Sequence, residues 1–566
     1  MARDQSNPES APLPRALRPE AEAVAALAVT VLAGLLMILL AVYAGPLWRD
    51  EANTANLAQL PSFHDFWTNL SFESFPPLWP LLVRGCGWLG WAGSDASLRV
   101  LGLYVGWFFL VSLWLSARWL GCRAPVLSLA LLGCLPAFIF IVGANRAYGL
   151  ACGLLVLSFG LLWRVVELPS RARIFWAGLV CLLFAHCVYY DGIFLCAMLA
   201  GAALVTIRRR QWQTLAALVA IGFVSSVSLA IYVPIIRHGL AYSSTIPTPE
   251  FTASTLWFKF GDAVTARSSG RIGHNGPEVW LWIGLVLAGL LAAVVLLPSR
   301  GGPADSAAAA ARRVRADRAL FCATSMIIGI VGLFAFLLRL HYLTQAWYYV
   351  EMLCLCTVAL DGLFGANWPA LRPWGLLRIG FLVLLVGWGA KAGWEEAHTR
   401  RSNVDLIATT LDKGASGQDL IVVQTCWEAI TFDRYYHGRT PWVSVPPIDS
   451  HKVHRNDLVF ARINQPDAMA EVLTNVANTL RSGHAVWVVG YLNGRPPVPP
   501  PADQSVKWVG AYFNYWNEQV TTLLLEHAQG QVVKIPTDAP VCYLEDLPVT
   551  RFFGYQPGPD ESTNQK

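Results

Sequence analysis

Residues 24–52 read VAALAVTVLAGLLMILLAVYAGPLWRDEA, and this stretch decides the class of fold. Its first part, Val24 to Ala44, carries no charged residue. At about 1.5 Å rise per residue it is long enough to cross an apolar layer of about 30 Å. Val42-Tyr43-Ala44 resembles a cleavage site, but the run exceeds the roughly 7–15 apolar residues of a cleaved leader, so it reads as a retained anchor. Directly after it come Arg49, Asp50 and Glu51, at a boundary where carboxylates are costly to desolvate.

Outward from this stretch the pattern repeats. Apolar runs predict eleven spans, near Val24–Ala44, Leu98–Ala117, Pro125–Val142, Tyr148–Val165, Ile174–Tyr190, Gly192–Ile207, Leu215–Ile236, Val279–Leu297, Ala319–Leu338, Trp347–Phe364 and Gly375–Ala390. The polar breaks at Ala144–Gly149 and His186–Gly192 divide two runs that are too long for one crossing. Of the 566 residues 55% are hydrophobic and 14% charged, with a mean hydropathy of +0.45. Typical globular domains carry about 25% charged residues, so a soluble enzyme is excluded. The formal charge of +5 is far too small for a nucleic-acid binder.

The predicted organisation is a polytopic α-helical membrane protein with a C-terminal extracytoplasmic α/β domain. It divides into a cytoplasmic tail (1–21), a membrane part (22–394) with outer loops 45–97 and 237–278, and the α/β domain (395–566). In that domain helical patterns (Asn403–Leu411, Asp467–Leu480) alternate with strand-like runs (Leu420–Gln424, Leu458–Ala461, Ala485–Gly490). It has no dinucleotide fingerprint and no P-loop. Ser299–Arg318, rich in alanine, reads as a flexible tether. Most of the twelve cysteines lie in spans and behave as small hydrophobes. Cys426 and Cys542 fall in the outer domain, where a bridge is one option.

Orientation follows from basic residues near span ends. With the N-terminus cytoplasmic, the inner segments hold 18 arginines and the outer segments between spans 9 Lys and Arg, although two outer loops are much longer. An odd number of spans then places the C-terminal domain outside. The polar residues most suited to chemistry fall on that same side. They are Asp50 and Glu51, Glu73 in Glu73-Ser74-Phe75-Pro76-Pro77-Leu78-Trp79, Arg146 and Tyr148 in one tight turn, His186, Tyr189 and Tyr190 in another, and His341 with Tyr342 in a third. Simpler roles stand beside the chemical ones. Asp50 and Glu51 suit a helix N-terminus, Arg146 suits a snorkelling headgroup contact, and His186 suits a satisfied hairpin histidine. Glu351 is either a substrate-facing acid or a partner for Arg339.

WRDEA after the first span, FPPLW ending the first loop, the Arg-x-Tyr turn and the His-x-x-Tyr turn together resemble the GT-C fold glycosyltransferases. The pattern is similar to the bacterial branch that includes protein O-mannosyltransferase-like (PMT-like) enzymes, the lipid A aminoarabinose transferase and the Rgt-type lipopolysaccharide sugar transferases. The resemblance covers Val24 to Trp394 and is most specific from Leu47 to Val105. It implies a polyprenyl-phosphate sugar donor, reaction on the outer face of a bacterial inner membrane, Asp50 as the catalytic aspartate, Glu51 as its acidic neighbour and Glu73 as a second acidic residue. The chain departs from the pattern at Phe75, where members often carry His or Lys, and in its late motif Arg339-Leu340-His341-Tyr342.

Transfer of a sugar to a hydroxyl on a glycan, lipid or protein acceptor needs a base, for which Asp50 is the choice. It also needs a cation to meet the leaving phosphate, with Arg146 first and Arg271 second, and a lateral apolar groove, which some of the 24 tryptophans are suited to line. One base without a second nucleophile favours inversion. Asp50 and Glu51 are also placed to hold a divalent metal; no other cofactor is indicated. Rival readings are a transporter or flippase of lipid-linked sugars and a non-catalytic envelope assembly protein.

Overall fold

The computed structural model describes residues 20–91, 93–242, 251–265, 276–297, 307–341, 344–366, 372–500 and 509–557. Two regions are built on different physics. The membrane part is a bundle of helices around one apolar cluster that includes Trp79, Phe109, Phe138, Trp163, Phe184 and Phe194. The C-terminal part is a five-stranded sheet with helices on both faces.

Every expected span is helical. Among the described residues nine helices are long and apolar enough to cross a bilayer. Two expected spans fall short of that length. Arg171–Ala185 has 15 residues, and the Pro125–Val142 segment is two helices, Val126–Leu132 and Pro136–Val142. The break has a local cause, because Pro136 forces Leu135 out of the helical region to φ −71°, ψ 118°. The broken pair still runs from end to end of the bundle. Near its start Leu127 and Ser128 bond Asp361 at the other end from the first loop, and just past its end the Asn145 amide bonds Glu51.

Contacts at the two ends of the bundle show which segment ends share a side. One end holds Arg209–Asp317 and Arg378–Glu22 at 2.8 and 2.6 Å. The opposite end holds Arg99–Glu51 and Arg146–Glu73 at 2.6 and 3.1 Å.

Two sequence expectations are corrected here. The Ala-rich stretch is not all tether. Although 298–306 lie outside the described residues, Ala307–Arg318 forms the first turns of a 34-residue helix, Ala307–Leu340, as the high helix propensity of alanine dictates. Leu458–Ala461 lies in a helix, Asn456–Ile463, not a strand. Val459 and Ile463, four apart, bury against the sheet, and a four-residue apolar run cannot by itself distinguish the two periodicities.

The sheet comprises β1 (Leu420–Gln424), β2 (Trp442–Val445), β3 (Val486–Val489), β4 (Gln529–Val533) and β5 (Val549–Phe553), in the order β2-β1-β3-β5-β4. β1, β2 and β3 are mutually parallel, while β5 is antiparallel to its neighbours. Alternation along β1 sends Leu420 and Val422 to one face and Ile421 and Val423 to the other. Cys426 and Cys542 lie in separate apolar clusters and are not bridged to each other.

The carboxyl edge of the parallel strands determines where the domain sits. The loop after β1 carries Glu428, which pairs with Arg49 at 3.0 Å. The loop after β2 places the Lys452 carbonyl on Asn56 and the His454 amide on Asn53. The loop before β5 places Glu545 on the Arg49 amide. Three loops from one sheet edge thus converge on the first-loop helix, Arg49–Ala58. Arg434 and Tyr435 extend the contact to Asp95, and buried Arg401 bonds the Phe140 carbonyl while lying over its ring.

Candidate active site

The helix Arg49–Ala58 starts where Trp48, extended at φ −79°, ψ 166°, ends the link from the first span. Asp50 and Glu51 fall in its first turn, where the helix dipole favours negative charge. One step along a helix turns a side chain by about 100°, so the two carboxylates point apart.

Glu51 points inward and is fully buried. Its carboxylate accepts from Arg99 Nη1 at 2.6 Å, the Asn145 amide at 2.7 Å and the Trp48 amide at 3.3 Å. Arg99 also donates to the Pro46 carbonyl at 2.7 Å. Glu51 therefore ties together the first loop, the helix Asp95–Trp119 and the turn before Ala147–Glu167.

Asp50 points outward and retains 21% side-chain exposure. Arg49 Nε lies 3.5 Å from Oδ1, Arg146 Nη2 3.7 Å from Oδ2, and His454 Nε2 3.4 Å from Oδ1. Burial pushes this carboxyl up, but Arg146, then His454 and Arg49, outweigh it and hold the group well below the usual carboxylate range. Asp50 is thus a permanently ionised carboxylate at a partly open position.

Arg146 is the buried bridge of the cluster. Its Nη1 donates to the Asp50 carbonyl, Thr54 Oγ1 and Glu73 Oε1 at 2.8, 3.0 and 3.1 Å. Glu73 also accepts from Thr54, Ser74 and Asn53. The guanidinium lies 4.2 Å over the Phe75 ring, so phenylalanine serves here as a cation–π platform. Tyr148 packs edge-on to the same ring at 5.0 Å, and Tyr348 joins Tyr148 to Tyr190. Among the candidates from the sequence, Asp50, Glu51, Glu73, Arg146 and Tyr148 come together. Tyr189 faces Glu73 and packs edge-on to Tyr232 at 6.5 Å.

The others do not join the cluster. His186 has both ring nitrogens engaged, by Ser228 at 3.0 Å and Tyr232 at 2.7 Å, which is the satisfied hairpin arrangement. His341 ends the helix Ala307–Leu340 in a left-handed conformation, φ 52°, against Phe251. Glu351 is fully buried facing Asp191, while Arg339 is exposed. Arg271 and Tyr342 lie outside the described residues. Sequence reasoning missed Arg99, Asn145, Thr54 and His454, none of which stands in a motif.

The divalent-metal option does not fit these residues. Glu51 is consumed by three internal donors and Asp50 stands between two guanidinium groups. Among the described residues no group of three or more His, Cys, Asp or Glu is placed to hold an ion.

A polytopic helical bundle with an ion-paired acidic site at one end and an α/β domain docked over it is the class that the fold and site define. No protein-family model matches the chain and no curated protein matches it in sequence. Among solved structures it is similar to ArnT from Cupriavidus metallidurans bound to undecaprenyl phosphate, with 13% identity, a TM-score of 0.37, and coverage of 93% of this chain and 97% of that one. It is also similar to the Archaeoglobus fulgidus oligosaccharyltransferase tethered with an acceptor peptide containing the NVT sequon, with 11% identity, a TM-score of 0.46, and coverage of 95% and 74%. The apo form of that enzyme gives 12% identity, a TM-score of 0.48, and coverage of 89% and 73%. ArnT and the oligosaccharyltransferase are GT-C fold glycosyltransferases, the group that the WRDEA and FPPLW motifs resemble.

Proposed function

We propose that this chain is an integral-membrane glycosyltransferase that moves a sugar from a polyprenyl-phosphate donor to an acceptor hydroxyl by direct displacement with inversion. The observation that carries the reading is the pairing of a partly open, ionised Asp50 with the buried, doubly ion-paired Arg146 at one end of an apolar bundle. Asp50 supplies the negative charge that draws the proton off the attacking hydroxyl. Arg146, with Arg49 beside it, supplies positive charge where a leaving phosphate oxygen gains its electron pair. We place the site and the C-terminal domain on the extracytoplasmic face of a bacterial inner membrane, because the arginine-rich segments gather at the opposite end.

The test uses the full-length chain in detergent with a panel of undecaprenyl-phosphate-linked hexoses and pentoses, following release of undecaprenyl phosphate. Wild type turns over at least one donor, and Asp50→Asn loses about 10²–10⁴ in kcat. Equal rates for both sink Asp50, no turnover by wild type sinks transfer itself, and a product of retained anomeric configuration sinks direct displacement.

A further inference from the structure

The Asp50 carboxylate is by itself a weak sink for the acceptor's proton, since three positive or donating groups hold it ionised. A base works best when its proton affinity is near the operating pH. The structure places another group beside Asp50, on the soluble domain and about 400 residues further along the chain.

His454 belongs to the strap 446–455 that follows β2. The strap is pinned to the first-loop helix at two backbone points, His454 N to Asn53 Oδ1 at 2.8 Å and Lys452 O to Asn56 Nδ2 at 2.9 Å. Arg455 lies 5.5 Å over the Phe72 ring, and His451 anchors the strap to Ser444 at 2.9 Å. The imidazole is therefore presented by backbone contacts to the membrane part and not by a free loop. Its Nε2 lies 3.4 Å from Asp50 Oδ1, and among the described residues Nδ1 takes no hydrogen bond.

Exposure separates the acting groups from the supporting ones. The side chains of Glu51, Glu73, Arg99 and Arg146 are 0–4% exposed, whereas Asp50 and His454 are 21% and 19% exposed. Of the ionisable groups of this cluster, Asp50, His454 and Arg49 are the more open to an incoming hydroxyl, and Arg49 cannot accept a proton.

We propose that His454 receives the acceptor's proton, with Asp50 orienting the imidazole and balancing the imidazolium that forms. This rests on the transferase reading above. The acceptor O–H bond breaks as its oxygen attacks the anomeric carbon, and the proton passes to Nδ1. The anomeric C–O bond to phosphate breaks in the same displacement, and the leaving oxygen keeps the electron pair. Nε2–H faces the carboxylate throughout, as in a nucleophile–histidine–carboxylate arrangement. The charged group of the membrane part in contact with the imidazole is Asp50, itself beside Arg49 and Arg146. Lys452 and Arg455 of the strap are already paired with Asp433 and Asp457.

The experiment compares wild type, His454→Ala, His454→Gln and the strap control Lys452→Ala, with whichever undecaprenyl-phosphate sugar of the panel wild type hydrolyses or transfers. Both histidine variants are expected to lose about 10²–10⁴ in kcat with donor KM within about threefold. Added imidazole partly restores His454→Ala, and Lys452→Ala matches wild type. If His454→Ala fails to fold, His454→Gln, which keeps bulk and polarity, carries the test. A kcat within about threefold of wild type, no rescue by imidazole, or a loss confined to KM overturns the proposal. Silence of the wild type with every donor instead overturns the transferase reading on which it rests.

Discussion

Glu51 stands beside the proposed catalytic carboxylate in the sequence, and the structure separates their roles in a way that can be measured. Its contact with Arg99 is 2.6 Å long, with the two side chains 0% and 4% exposed. At an effective dielectric of about 20, two unit charges at that distance attract by about 6 kcal/mol, against which stands the cost of desolvating both. Removing one partner of such a pair leaves an unpaired buried charge and costs about 3–5 kcal/mol, whereas removing both is nearly neutral. Arg99→Met is therefore expected to destabilise the chain by about 3–5 kcal/mol, Glu51→Gln by less, and the double variant to recover most of the loss. The assay is reversible unfolding in mixed micelles, read by tryptophan fluorescence, with a double-mutant cycle for the coupling. In the donor assay Glu51→Gln keeps kcat within an order of magnitude of wild type. Stable, well-folded Glu51→Gln protein without turnover refutes the reasoning by making Glu51 a chemical group. An Arg99→Met variant as stable as wild type refutes it by removing the clamp.

Further outcomes follow from other contacts. A Cβ at Gly102 meets the Gly143 carbonyl oxygen at 2.3 Å, so Gly102→Ala is expected to cost about 1–3 kcal/mol. It also slows transfer by displacing the turn that carries Asn145 and Arg146; unchanged melting and unchanged kcat contradict this. Burial pushes the Glu545 carboxyl up to about 8, against Arg49 and bonds from Ser402 and Thr431. The folded chain then binds more protons than the unfolded one between about 4.5 and 8, so stability falls as pH rises through that window. Glu545→Gln is expected to flatten this slope in melting scans, and an equal slope in both proteins rules the assignment out. Turnover is expected to survive a molar excess of EDTA, and restoration of lost activity by Mg²⁺ or Mn²⁺ overturns the reading of Asp50 as a guanidinium-paired carboxylate.

How far the site was legible in the sequence depended on whether position along the chain implied position in space. Asp50 and Arg146 were legible because each falls at a span boundary on the same side, and alternating crossings force such boundaries together; Glu73 was legible from its place before the paired prolines of the first loop. Glu51 was named with Asp50, but the helical step that turns it onto Arg99 depends on where the helix begins. Asn145 acts through its backbone amide and so leaves no mark in residue type. His454 was beyond reach, since its place follows from the parallel order of three strands and the docking of their carboxyl edge. Nine long apolar helices among the described residues were legible from hydropathy. The break at Pro136 was visible as a residue but not as an interruption.

The convergence of one sheet edge on the helix Arg49–Ala58 leaves the opposite edge without a task. Gly417 before β1 has nothing within 4 Å of the position a side chain would take. A fluorophore attached there reports on the docked domain without touching the chemistry. Paired with a second dye on the first-loop side of the bundle, it turns any rocking of the domain over Asp50 during turnover into a distance that single molecules can display.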